Sequence, residues 1–226
     1  MSKAKTMRKI IFQNDNFYHI YNRGVDKREI FLAREDYVRF LVSMREFNQV
    51  DPVGSLFVLD NLRKAEKTLD VYDCRRPTSK LVDFIAYCLI PNHYHFILRQ
   101  VVDGGISEFM KRIGGGYTKY FNARYDRSGT LFQGRFKAVE LNSTDKISEL
   151  SMYINGNSEI HRLAKANKYP WSSYLDYLEE RDGTLCNKDI VLANFSSLDE
   201  YKNLSDMIIK EIREERSELK KYILEK

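Results

Sequence analysis

Cysteine is scarce in this sequence: three residues, Cys74, Cys88 and Cys186, odd in number and far apart. Such spacing excludes a disulfide framework and a CxxC zinc site, and it suits a reducing cytoplasm. Long apolar runs are also missing. No stretch of eighteen apolar residues occurs, so no membrane-spanning helix is expected. The opening MSKAKTMRKIIFQND is basic but has neither a long apolar core nor a small-residue cleavage site, so a secretory signal is not expected. There is no internal repeat and no low-complexity tract. Histidine is rare, with four in 226 residues. What is present is a chain 43% hydrophobic and 31% charged, the composition of a folded protein. Its length suits one sizeable domain with additions, or two small ones. The net charge of +5 is mild, so the placement of charge matters more than its sum.

Residues 1–12 carry Lys3, Lys5, Arg8 and Lys9 with no acid, a basic arm that either meets phosphates or is simply solvated. Phe17–Tyr21 is aromatic and β-branched and stops at Asn22-Arg23-Gly24, which predicts a strand ending in a turn. Between Glu35 and Phe47, apolar residues recur at helical spacing. Residues 51–80 look irregular, with a short helix over Leu56–Lys67 and a loop over Asp73–Ser79. The unbroken apolar run Phe84–Ile90 predicts a strand buried on both faces, such as a central one. Pro91-Asn92 is a tight turn into a second strand, His93–Leu98.

A helix is expected over Ile106–Tyr125, but Gly114-Gly115-Gly116 predicts a break, a bend or a close backbone contact within it. Thr130–Leu141 reads as a strand. The capping cluster Asn142–Asp145 starts a helix running past Tyr153. After Pro170-Trp171 the pattern is locally helical. The order predicts an α+β fold, ferredoxin-like or RRM-like, with helices packed on one face of an antiparallel sheet and a helical C-terminal extension.

Three features carry chemistry. His93 and His95, at i and i+2 on a strand, share a face and can converge on one divalent ion; two surface histidines are the plainer alternative. Tyr153 and Asn157 stack at i and i+4 on a helix. They read either as a core tyrosine with a capping amide, or as a nucleophile with a metal ligand one turn away. From Gly104 to Leu141, seven basic residues outnumber three acidic ones among interleaved aromatics. That pattern suits single-stranded nucleic acid, or else a core with a solvated charged face.

Six segments occur in order: FYHIYNRG (Phe17–Gly24), YCLIPNHYH (Tyr87–His95), YTKYFN (Tyr117–Asn122), RSGTLFQGRF (Arg127–Phe136), YINGN (Tyr153–Asn157) and WSSY (Trp171–Tyr174). Together they resemble single-tyrosine transposases of the HUH superfamily, and within them the REP-associated tyrosine transposases of bacteria. The resemblance implies a cytoplasmic, metal-dependent single-stranded DNA endonuclease and strand transferase on a ferredoxin-like or RRM-like fold. It implies that His93 and His95 bind Mg²⁺ or Mn²⁺ with Asn157 as third ligand. Tyr153 would attack the scissile phosphate and form a 5′-phosphotyrosine link. A non-catalytic, domesticated DNA-binding protein on the same fold is the alternative.

The expected partner is single-stranded or hairpin DNA, with the protein acting as a homodimer or a monomer. Candidate DNA contacts are Asn22, Arg23, Gly24, Tyr117, Tyr120, Arg127, Gln133, Arg135 and Lys137. His19 reads as a structural strand residue and His161 as exposed. The expected division is a basic arm over 1–12, a nuclease domain over 13–168 with an insertion near 51–80, and an extension over 169–226. Family members often follow the asparagine with Pro-Val-Arg-Ala-Gly. Here Ser158–Arg162 replaces that stop with residues able to prolong the helix.

Overall fold

The computed structural model describes residues 10–51, 56 and 79–224, with side chains up to Arg216. The basic arm before residue 10, and the helix, loop and insertion expected within 51–80, lie outside the described residues apart from the ends of that stretch and Leu56.

Four strands form one antiparallel sheet: β1 (Phe17–Arg23), β2 (Val82–Ile90), β3 (His93–Gln100) and β4 (Lys137–Leu141), in the order β2-β3-β1-β4. Helix α1 (Arg34–Glu46) links β1 towards β2, and α2 (Gly105–Arg124) links β3 to β4. This is the ferredoxin-like α+β arrangement. Helices α3 (Thr144–Asn155), α4 (Asn157–Ile160), α5 (Tyr174–Tyr177), α6 (Asp189–Leu192) and α7 (Leu198–Leu224) follow.

The expectation of helices on one face is corrected: both faces are covered. Strand alternation sends Tyr18, Ile20, Tyr94, Phe96 and Leu98 to one face, where Phe40, Phe109, Ile113 and Tyr117 of α1 and α2 meet them. Ile97, Cys88 and Ile90 point the other way, against Ile147 and Ile154 of α3, Tyr177 of α5 and Tyr201 of α7. A bulge between Phe84 and Ala86 places Ile85 and Ala86 both on this second face.

The apolar run of β2 is buried on both faces as expected, but β2 is the edge strand, not a central one. Its open edge is sealed by the later chain. Leu89 N–H donates to Trp171 O (2.9 Å), Ser173 N–H to Tyr87 O (2.9 Å) and Asn187 N–H to Phe84 O (2.8 Å). Covering an edge in this way removes the unpaired ladder groups that would otherwise require solvent.

The three glycines do not break α2, because its buried stripe, from Ile106 to Phe121, holds the helix against the sheet. The close contact is real at Gly116, where a Cβ would lie 2.7 Å from Phe47 Cε2; Gly114 and Gly115 face open space. The strand expected over Thr130–Leu141 shortens to β4. Gly129 (φ 83°) and Gly134 (φ 71°) turn the chain in the left-handed region first. Helix α3 starts where the capping cluster lies, with Ser143 Oγ accepting from Lys146 N–H (3.3 Å). Beyond Gly156 the chain makes the extra turn α4, and Arg162 (φ 59°) closes it. No helix among the described residues is long and apolar enough to cross a membrane.

Candidate active site

His93 and His95 open β3 directly after the Pro91-Asn92 turn, and their ring centroids are 5.0 Å apart. Strand register then brings in β1: Tyr21 pairs with His95, Arg23 with His93, and His19 sits diagonally across on the same face. His19 Nε2 lies 2.8 Å from His95 Nδ1, with the two rings stacked at 5.1 Å. His93 Nδ1 lies 2.7 Å from Asn92 Oδ1, so His93 donates there. Helix α3 crosses above. Tyr153 projects towards His95, ring centroids 6.1 Å apart and nearly perpendicular. One turn later Asn157 is fully buried.

His161 follows α4 and contacts His93, centroids 5.0 Å apart. All four histidines of the chain therefore lie at one site. His161 is solvent-exposed, as expected from sequence, yet it borders the pair. From α7, Arg216 donates to Tyr153 Oη (3.4 Å) and approaches His161 Nε2 (3.2 Å). Sequence reading missed His161 and Arg216 as neighbours of the site and left His19 as structural. The available signals were the scarcity of histidine and the shared strand parity of His19 and Tyr21.

Burial sets the protonation of these rings. It lowers the His19 pKa to about 4. It lowers that of His93 to about 4, aided by His161, Arg216 and Arg23 and opposed by Asn157. His95 is held well below the ordinary histidine range, again chiefly by burial and then by its histidine neighbours. All three are neutral near pH 7, the form that ligates a metal.

The donor set fits a divalent cation. The contacts at His93 and His95 engage Nδ1 of each ring, so ligation would fall to Nε2. Asn157 raises the His93 pKa as a hydrogen-bonding neighbour, yet neither its Oδ1 nor its Nδ2 meets full hydrogen-bond geometry with any described residue. A buried amide without partners is costly, and coordination of Oδ1 would satisfy it. No cluster of three or more His, Cys, Asp or Glu suited to a metal occurs among the described residues.

The expected DNA contacts divide. Arg23, Gln133 and Lys137 are exposed on the histidine face; Arg23 bonds Gln133, and Lys137 Nζ lies 5.8 Å from the centre of the Tyr21 ring. Arg135 is exposed and Arg127 half-buried over Phe121. One expectation is corrected, at Tyr117, while Gly24 and Asn22 make contacts within the fold. Tyr117 is completely buried and its hydroxyl donates to Ile30 O (2.6 Å), so it neither stacks on a base nor attacks a phosphate. Gly24 is buried with its N–H committed to Asn92 O (2.9 Å), so it shapes the turn. Asn22 is buried with its Nδ2 on Gly134 O (3.3 Å), pinning the 129–136 loop. Tyr120 is half-buried and donates to Asp36 Oδ1 (3.0 Å).

Residues 66–157 match the family described as transposase, IS200-like. Over that stretch the chain is similar to IS200-like transposases. The matched stretch contains His93 and His95 and ends at Asn157. That family comprises tyrosine transposases of the HUH nuclease class, which cleave and transpose single-stranded DNA with a metal ion. A REP-associated tyrosine transposase, solved bound to a REP hairpin, shares the fold. Its TM-score is 0.52 at 14% identity, covering 83% of this chain and 94% of that one. A transposase structure from Deinococcus radiodurans gives a TM-score of 0.35 at 12% identity, covering 66% of this chain and 95% of that one. No curated protein matches the sequence.

Proposed function

We propose that this protein acts as an IS200-like transposase, cleaving and rejoining single-stranded DNA through Tyr153, with His93, His95 and Asn157 holding Mg²⁺ or Mn²⁺. The observation that carries the reading is the meeting of Tyr153 with His95 across the α3–β3 packing, beside a buried, unpartnered Asn157. Bound there, the ion supplies Lewis acidity at the scissile phosphate. The chain does the rest. Helix α3 presents the Tyr153 ring beside His95. The tyrosine oxygen bonds to phosphorus, the bond from phosphorus to the 3′ oxygen breaks, and that oxygen leaves as a 3′-hydroxyl. The phosphate stays on the tyrosine as a 5′-phosphotyrosine, so a second 3′-hydroxyl can reverse the exchange without an external energy source.

Arg23, Gln133 and Lys137 are exposed beside the histidines, suited to guiding the phosphates of a strand. On the opposite face, a groove of about 1170 Å³ runs between α2 and the 129–136 loop, and Lys111, Lys119 and Arg135 line it. Its basic rim suits the stem of a hairpin, the form of DNA held by the REP-associated relative. In this reading residues 13–168 are the nuclease unit. Within the extension, residues 171–187 seal β2 and Tyr201 braces α3.

The test is a covalent-adduct assay with labelled hairpin-bearing single-stranded DNA and Mn²⁺ or Mg²⁺. A metal-dependent, denaturant-resistant band that disappears in Tyr153→Phe is expected. A band that survives in this variant would remove Tyr153 as nucleophile. Tight DNA binding with no band from any tested DNA would replace the enzyme with a DNA-binding protein.

A further inference from the structure

We propose that His19 is a positioning residue for the metal ligand His95, accepting its Nδ1–H and so fixing the tautomer that frees Nε2 for the ion. The inference rests on His95 being a ligand. Its basis is the 2.8 Å contact between His19 Nε2 and His95 Nδ1, made across the β1–β3 pair. Two neutral imidazoles share one proton in such a contact, and there are two ways to place it. If His19 donates, His95 carries its own proton on Nε2 and cannot ligate through it. If His95 donates, its Nε2 lone pair is free. Only the second arrangement is compatible with a metal, and it requires an acceptor at the position His19 Nε2 occupies.

The surroundings hold His19 in that position. It pairs with Ile97 on β3 and with Val139 on β4, and its ring stacks on Tyr21 at 4.8 Å. His93 has the same support from a different residue type, since Asn92 Oδ1 can only accept. Each ligand histidine thus has its own Nδ1 acceptor, one from the turn and one from the neighbouring strand.

The experiment compares His19→Phe, which keeps a flat ring but has no acceptor, with His19→Gln, whose Oε1 can accept. Mn²⁺ binding is read from the free-ion electron paramagnetic resonance signal, without DNA, and thermal unfolding in chelator confirms that each variant folds. His19→Phe is expected to weaken Mn²⁺ binding by about 10- to 100-fold, and His19→Gln to recover most of it. His95→Ala sets the scale for losing a ligand. If His95→Ala weakens Mn²⁺ binding while His19→Phe binds as wild type, the role of His19 is overturned and the site stands. If His95→Ala also binds as wild type, the site reading itself fails. Should His19→Phe not fold, long-range ¹H–¹⁵N NMR of the wild-type protein with Mg²⁺ decides the matter. A proton on His95 Nδ1 supports the proposal, and one on Nε2 overturns it.

Discussion

The two faces of the sheet use the same four strands and are packed by different means. Against α1 and α2 the contacts are aromatic: Phe40 lies edge-on to Tyr117 at 4.7 Å, and Phe84 edge-on to both Phe96 and Phe109. The buried carboxylate Asp36 on that side is well supplied, accepting from Leu32 and Ala33 N–H and from the hydroxyls of Tyr120 and Tyr125. Against α3 the buried set includes Ser148, Ser151, Asn155, Asn157, Ser158 and Ser173. There Asn155 donates to Tyr201 Oη (2.9 Å) and accepts from Ser173 Oγ (2.6 Å). Apolar burial stabilises without choosing a direction, whereas hydrogen bonds choose one. The aromatic face supplies stability, and the polar face aims the helix that carries Tyr153.

Exchanging effects between the faces would break this comparison. The largest effect belongs to Tyr153→Phe, which should abolish the covalent adduct while leaving the melting temperature nearly unchanged, as measured by gel and by calorimetry. Next is Phe40→Ala on the aromatic face. Removing this fully buried ring should cost about 3–5 kcal/mol in denaturant unfolding, with adduct formation retained wherever the protein remains folded. If Phe40→Ala abolished the adduct without destabilising the fold, the division of labour would be wrong.

Tyr201→Phe should cost about 1–3 kcal/mol, because the Asn155 amide loses its buried acceptor; it should also slow adduct formation. The same substitution at Tyr117 should cost a similar amount and leave the adduct rate unchanged. The glycines of α2 give a smaller contrast. Gly115→Ala should stabilise by about 0.5–1 kcal/mol, since its surroundings are open. Gly116→Ala should destabilise, because Phe47 must move. Unfolding midpoints of the two variants check both signs.

The smallest effect is on pH. His19 and His93 have folded pKa values of about 4, below the ordinary histidine value near 6.5. Between those values the unfolded chain binds more protons than the folded one. The stability these groups contribute is present above pH 6.5 and is lost as pH falls towards 4. Positively charged Arg23 and Arg216 reinforce the shift at His93. Thermal unfolding in chelator should therefore show a falling midpoint from pH 7 to pH 5. A flat profile would mean the histidine cluster is solvated.

Much was legible along the chain. The strand ending at Arg23, the turn at Pro91-Asn92, the common face of His93 and His95, and the start of α3 at Ser143 all depend on contacts within a few residues. Composition and periodicity report such contacts directly. Tyr117 was misjudged as a DNA contact because an aromatic residue among basic ones looks the same whether its ring faces solvent or core. The edge position of β2 was hidden for a related reason: residues 171–187 bury it as thoroughly as a neighbouring strand would.

By itself, then, the sequence determined most of the strands and helices, the ferredoxin-like class and the common face of His93 and His95, all of which follow from spacing along single elements. The joining of that pair to Tyr153 and Asn157 came from the family resemblance, since spacing left their role open. Tertiary structure alone decided that His19 meets His95 across 76 residues, that Arg216 reaches Tyr153 across 63, and that His161 completes the histidine cluster. Those contacts depend on strand register and helix docking, which are settled by how whole faces bury one another.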